Sequence, residues 1–203
     1  MSLKVFQIGF NKCGTRTIHH FLHVNGIKSI HWDGGDLARR MFRNLVEGDG
    51  LIAGYEGYEA FSDMEVVGRE FALEAYKLFP ILAQQYPEAV FVLNTRDREE
   101  WVKSRFNHGK GQYAKRWKSV LKISDDDKLA DVWRSDWDRH HDRVHEFFAN
   151  RPHRFFKFDI AKDSPELFAQ AIPDRAMDVS KYQTRGRTPH KAASRPEGSA
   201  FSL

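Results

Sequence analysis

The chain has 203 residues, 41% hydrophobic and 13% aromatic, which suits one domain with a substantial core and leaves little room for two. Its 32 Lys and Arg against 28 Asp and Glu give a formal charge of +4 with acids spread among the bases, a balance that favours a small anionic ligand over a nucleic-acid-coating role. The single cysteine, Cys13, excludes an internal disulfide and a multi-cysteine metal site, so a reducing cytoplasm is expected; no leader pattern and no apolar run of roughly 20 residues suggests secretion or a membrane span.

In chain order, Lys4 to Gly9 reads as a buried strand, and Thr15 to Val24 as a helix with Ile18, Phe21 and Leu22 on one face. Gly26 stops that helix. Ile27 to Trp32 reads as a second strand, and Asp36 is placed to cap a helix ending near Gly48. Gly57 to Val67 suggests a short strand and then a loop. Arg69 to Gln85 carries Phe71, Leu73, Ala75, Leu78, Phe79 and Leu82 at helical spacing.

Ala89 to Thr95 is the clearest strand, followed by a helix capped by Asp97 and running through Phe106. The basic, glycine-containing stretch 107–124 fits a mobile surface segment or a solvated connection. Leu129 to Ala149 is amphipathic, with Trp133 and Trp137 as core partners, and His153 to Ile160 supplies the last core strand before a short helix, "SPELFAQAI". After Pro173 the apolar content falls, giving an expected domain over 1–180 and a basic tail over 181–203 that is disordered or ordered by a ligand. Alternating strands and helices predict a three-layer α/β domain with a mainly parallel sheet, which binds ligands at the carboxyl ends of its strands.

The first strand-to-helix turn is "IGFNKCGTRT", Ile8 to Thr17. Gly9 and Gly14 have the separation of a Walker A loop, but Thr15 and Arg16 follow Gly14 where that loop needs lysine and a hydroxyl residue. Ordinary P-loop ATP hydrolysis is therefore disfavoured. An anion site remains: the N–H groups of Cys13 to Thr17 at a helix start, the hydroxyls of Thr15 and Thr17, and the charges of Lys12 and Arg16. On the loop alone, a turn whose charges face water explains the pattern equally well.

A second signal lies in "FVLNTRDREEWVKSRF", where Arg96 ends the clearest strand and Ser104 follows eight residues later. The two can face one phosphate; the plain alternative pairs Arg96 with Asp97 or Glu100. Together, Phe10 to Thr17 and the Arg96 and Ser104 pair resemble the sulfotransferases that use 3'-phosphoadenosine 5'-phosphosulfate (PAPS). The likeness runs loosely from Lys4 to Asp159 through "YPEAVFVLNTRD".

That resemblance implies a P-loop NTPase-like fold and a PAPS co-substrate with no metal. Lys12 would contact the bridging oxygen and the sulfuryl group, while Gly14, Thr15, Arg16 and Thr17 would hold the 5'-phosphate beside Asn11 and the backbone of Cys13. Arg96 and Ser104 would take the 3'-phosphate. For the general base the order is Asp63, then His31, with Glu65 a further carboxylate; Asp63 could equally be a turn or cap residue and His31 a satisfied, half-buried histidine. The usual Arg-Lys-Gly closing loop has no good copy here, and "TRGRTPHK" with Arg185 or Arg187 is the nearest segment.

The clusters His19-His20-x-x-His23 and His140-His141-x-x-x-His145 are not read as metal sites. The acceptor would be a small molecule, a carbohydrate or a lipid headgroup, with no nucleic acid. A P-loop-like nucleotide kinase and a catalytically inactive module of the same fold are the alternatives.

Overall fold

The structure, a computed structural model, describes residues 3–185. The elements are β1 (Val5–Gln7), α1 (Thr15–Val24), β2 (Ser29–His31), α2 (Asp36–Glu47), β3 (Ala60–Ser62), β4 (Glu65–Val67), β5 (Ala72–Glu74), α3 (Phe79–Gln85), β6 (Val90–Thr95), α4 (Arg98–Phe106), α5 (Gln112–Leu121), α6 (Asp126–Phe148), β7 (Arg154–Asp159) and α7 (Glu166–Ala171).

Five strands form one sheet in the order β2-β3-β1-β6-β7, and every pairing in it is parallel. Parallel neighbours need crossover connections, so helices cover both faces. Side-chain alternation divides the core accordingly. Phe6, Phe61, Phe91 and Leu93 pack on one face with Trp101, Trp133 and Trp137. Val5, Val90, Val92 and Phe158 pack on the other with Ile18, Phe21, Leu22 and Phe168. The chain winds from β1 outward to β2 and β3, then crosses to β6 and β7 on the opposite side. The carboxyl end of β1, between β3 and β6, is therefore the crevice such a sheet offers to a ligand.

The expected helix over Arg69 to Gln85 is shorter. Ala72–Glu74 pairs antiparallel with Glu65–Val67 as a hairpin, a 3-10 turn follows over Ala75–Leu78, and the α-helix starts only at Phe79. Pro80 explains the boundary, since it donates no N–H and is tolerated in a first turn but not in a helix interior. The same hairpin replaces the loop expected after β3.

The basic stretch 107–124 holds α5, whose Tyr113, Ala114 and Trp117 are buried. Its apolar residues lie at i, i+1 and i+4, a helical face that the surrounding charges mask in the sequence. Asp97 caps α4 by accepting from the Glu100 N–H, as expected. Asp36 does not cap α2; Gly35 holds that position in the left-handed region, and the Asp36 carboxylate bonds Arg39 at 3.1 Å. No helix among the described residues is long and apolar enough to cross a membrane.

Candidate active site

The loop between β1 and α1 sits at the sheet's crevice and is fixed from several sides. Gly9 meets β6 so closely that a Cβ there would lie 2.0 Å from the Asn94 carbonyl oxygen. The Asn94 side chain accepts from the Gly9 N–H at 3.1 Å and donates to the carbonyls of Phe10 at 3.2 Å and Cys13 at 3.0 Å. Trp101 Nε1 donates to the Asn11 carbonyl at 3.0 Å, and buried His140 Nε2 donates to that of Ile8 at 2.7 Å. The loop's carbonyls are thus turned into the protein.

Among the described residues, no acceptor meets the N–H groups of Cys13 to Thr17. Lys12 and Gly14 have φ of 63° and 74°, and this left-handed alternation around Cys13 forms a concave run of backbone donors. The first intrahelical donor of α1 is the Ile18 N–H, to Gly14 at 3.0 Å, so the N–H groups of the preceding turn have no i−4 partner. A Cβ on Gly14 would come within 2.6 Å of Ile160, which requires glycine there on spatial as well as conformational grounds.

Positive charge gathers at this cradle. Lys12 is half-buried, and burial lowers its pKa together with neighbouring Arg96 and Arg16, against the opposing pull of Asp63. Arg96, one residue past β6, donates to the Lys12 carbonyl at 3.4 Å and lies 3.8 Å from Glu100. The plain Glu100 pairing and the approach to the loop therefore coexist. Ser104 stands half-buried on α4, and no hydrogen bond joins it to Arg96 among the described residues. Cys13 is fully buried, and burial pushes its thiol up, which removes it as a nucleophile.

Asp63 and His31 come together at the ends of β3 and β2, with Nε2 3.5 Å from Oδ2. Asp63 adopts φ 55°, a left-handed turn that carries its carboxylate away from the strand line. Burial pushes its carboxyl up to about 6, against the pull of Lys12, Arg105 and Arg16. His31 is driven down to about 4, first by burial and then by His19 and Arg16, so at neutral pH the ring is uncharged. Ser62 Oγ lies 3.0 Å from His31 Nδ1 and 3.2 Å from the Ile30 carbonyl, fixing the ring between the Ser62 hydroxyl and Asp63.

Glu65 belongs to a different arrangement. It is 4% exposed, accepts from Asn11 Nδ2 at 3.1 Å and from the Tyr113 hydroxyl, and meets Arg105 Nη2 at 3.4 Å. Enclosed in this way, it ties the loop to α4 and α5 and has no open side for an acceptor, which removes it as a candidate base. Burial pushes its carboxyl up, opposed by the Arg105 guanidinium.

Arg185 meets the start of α1 through its backbone: its N–H donates to Thr17 Oγ1 at 2.9 Å, and its side chain reaches His20 Nε2 at 2.9 Å. Arg187 lies outside the described residues. In the other histidine clusters, His19 Nδ1 meets the Ser29 hydroxyl at 2.8 Å and His141 Nε2 meets that of Thr95 at 2.9 Å.

Sequence reasoning missed Asn94, Trp101, Arg105, Tyr113 and His140, all of which hold the loop from beneath. Asn94 stands in the quoted motif, but nothing in spacing separates a loop-bracing asparagine from an ordinary strand residue. Replacing Asn94 by alanine removes three buried hydrogen bonds. A loss of about 2 to 3 kcal/mol in unfolding free energy is expected by chemical denaturation, with weaker anion binding at the loop.

The winding places a loop rich in positive charge at the carboxyl end of the central strand, with the carboxylate of Asp63 at the end of the neighbouring strand. In comparison with known families, a family model described as Sulfotransferase domain matches residues 4–172, and the chain belongs to that family. No match was found among curated proteins.

Proposed function

We propose that the protein transfers a sulfuryl group from PAPS to an acceptor hydroxyl activated by Asp63. The observation that carries this reading is the loop itself: backbone donors that meet no acceptor among the described residues, Lys12 in the left-handed region with its carbonyl held by Arg96, and the Asp63 and His31 pair at the neighbouring strand ends. Three cations at one cradle suit a donor with separate phosphate groups. Charge-assisted contacts of about 1.5 to 3 kcal/mol each can hold such a donor.

In the transfer, the acceptor oxygen forms a bond to sulfur while the bond from sulfur to the bridging phosphate oxygen breaks. The electron pair leaves with 3',5'-bisphosphoadenosine, and the acceptor proton passes to Asp63. Lys12 offsets the charge that develops on the bridging oxygen. Arg96 and Ser104 take the 3'-phosphate, the group that distinguishes this donor from ATP. Arg185, placed against Thr17, is the nearest residue to close the 5' side.

Calorimetry with 3',5'-bisphosphoadenosine and, separately, ATP with magnesium tests the reading. Micromolar binding of the bisphosphate with much weaker ATP binding is expected, and the reverse order sinks it.

The pH profile separates the two bases. With Asp63 as base, kcat/KM rises with pH through about 6 as the carboxyl ionises, then falls on the alkaline side as Lys12 loses its proton below its ordinary 10.5. With His31 as base, the rise sits near 4. Asp63→Asn is expected to erase the limb near 6 and to cost about 10² to 10⁴ in rate, with bisphosphate affinity retained.

A further inference from the structure

A cleft of about 350 Å³ opens between the end of β2 and the β4–β5 hairpin, lined in part by Trp32, Arg39, Val66, Arg69, Phe71 and Arg116. Trp32 directly follows His31 at the end of β2, and Val66 stands three residues past Asp63 on β4, so the lining is contributed by the segments that follow the proposed base pair in sequence. A second hollow of about 250 Å³, lined by Arg69, Gln112, Lys115, Arg116 and Ser119, shares two arginines with the first. The two form one groove running from the strand ends along α5.

Two features of this groove point to one kind of ligand. Its apolar surface includes two exposed aromatic side chains, Trp32 at 45% and Phe71 at 43% exposure, together in one cleft rather than scattered. Gly68 permits the Phe71 placement, because a Cβ there would lie 2.5 Å from the Phe71 ring. Every charged residue lining either hollow is a cation. Arg39 is offset by Asp36 at 3.1 Å, but among the described residues no carboxylate pairs with Arg69, Lys115 or Arg116. Glu70 stands at the hairpin tip but not in the lining. A groove lined by one sign of charge concentrates ligands of the other.

We propose that the acceptor is an acidic oligosaccharide, a reading that rests on the sulfotransferase function above. One sugar ring lies against Trp32 and Phe71 with a hydroxyl towards Asp63, and carboxylate or sulfate groups on following residues meet Arg69, Arg116 and Lys115. Guanidinium forks match such planar or tetrahedral anions, and aromatic faces match the apolar side of a pyranose. Cations in two adjoining hollows, which share Arg69 and Arg116, suit a ligand carrying more than one acid group, as a chain does.

The test uses the full chain and oligosaccharides of uronic-acid and of sulfated hexosamine type, each beside a neutral counterpart with its acid groups reduced or removed. Binding is read by calorimetry with 3',5'-bisphosphoadenosine present, and sulfuryl transfer from labelled PAPS is read in parallel. At least one acidic chain is expected to bind and accept label at least about tenfold better than its neutral counterpart, with affinity falling as salt rises. Arg69→Ala and Lys115→Ala, exposed and without internal bonds, should each raise the acceptor KM about tenfold with kcat little changed. Arg116→Ala serves as a third variant, because its bond to the Val67 carbonyl at 3.3 Å is also structural.

Equal binding of neutral and acidic chains, failure of both acidic types, or an unchanged KM in Arg69→Ala and Lys115→Ala overturns the inference. Intact bisphosphate binding in that case leaves the parent reading standing, whereas loss of bisphosphate binding removes the parent reading first.

Discussion

Lys12→Ala is expected to reduce sulfuryl transfer by about 10² to 10³ while weakening 3',5'-bisphosphoadenosine binding only about tenfold. The asymmetry follows from where charge develops. On the proposed function, the bisphosphate product would be held by the backbone donors of residues 13–17 and by Arg96, none of which the substitution removes. The bridging oxygen acquires its charge only as the bond to sulfur breaks, and Lys12 is the cation proposed to meet it. Alanine is also no worse than lysine at φ 63°, so the loop should keep its shape. Lys12→Arg keeps the charge but spreads it over a planar fork, and an intermediate rate is expected. Single-turnover kinetics beside calorimetry checks the separation; equal losses in binding and rate would mean that Lys12 only holds the donor.

The second large effect concerns stability. Arg105 is fully buried, with Glu65 and Tyr113 on one side and the rings of Phe10, Trp101, Tyr113, Trp117 and Trp133 around its guanidinium at 4.6 to 5.8 Å. Arg105→Leu leaves Glu65 buried without its cation, a change that costs about 3 to 5 kcal/mol. A lowered thermal midpoint and poorer bisphosphate binding are expected together, because Glu65 also holds Asn11 in the donor loop. The double variant Arg105→Leu with Glu65→Leu removes both charges and should recover much of the stability but not the binding. Recovery of neither would show that the cation's contacts with the rings matter more than its pairing.

The winding order and the place of the glycine-containing turn after β1 were legible in the sequence because both depend on local signals. Alternating βα units, a glycine at each end of the turn and an arginine at a strand end are visible within short windows. The crevice followed from topology once β1, β6 and the loop were placed. What escaped notice was the support beneath. Glu65 lies 40 residues from Arg105 and 48 from Tyr113, so its burial among them is set by tertiary contact. The charges flanking α5 mask the single apolar face that anchors it, and the aromatic spacing across Arg69 to Gln85 fits a longer helix than the one that Pro80, in its first turn, begins. Glu65 was read as a carboxylate near a strand end, which it is, but the sequence gives no sign that three partners enclose it.

The β4–β5 hairpin divides by depth into two functions. At its base, Glu65 is locked to the donor loop and to α5; at its tip, Gly68 to Phe71 turns outward with a single backbone bond, Gly68 N–H to the Phe71 carbonyl at 2.8 Å, across the turn. If the groove takes the acceptor as proposed, changes at the tip should alter what it accepts without reaching the residues that brace the β1–α1 loop. On that reading, an engineered change of acceptor begins with residues 68–71 and leaves Glu65 untouched.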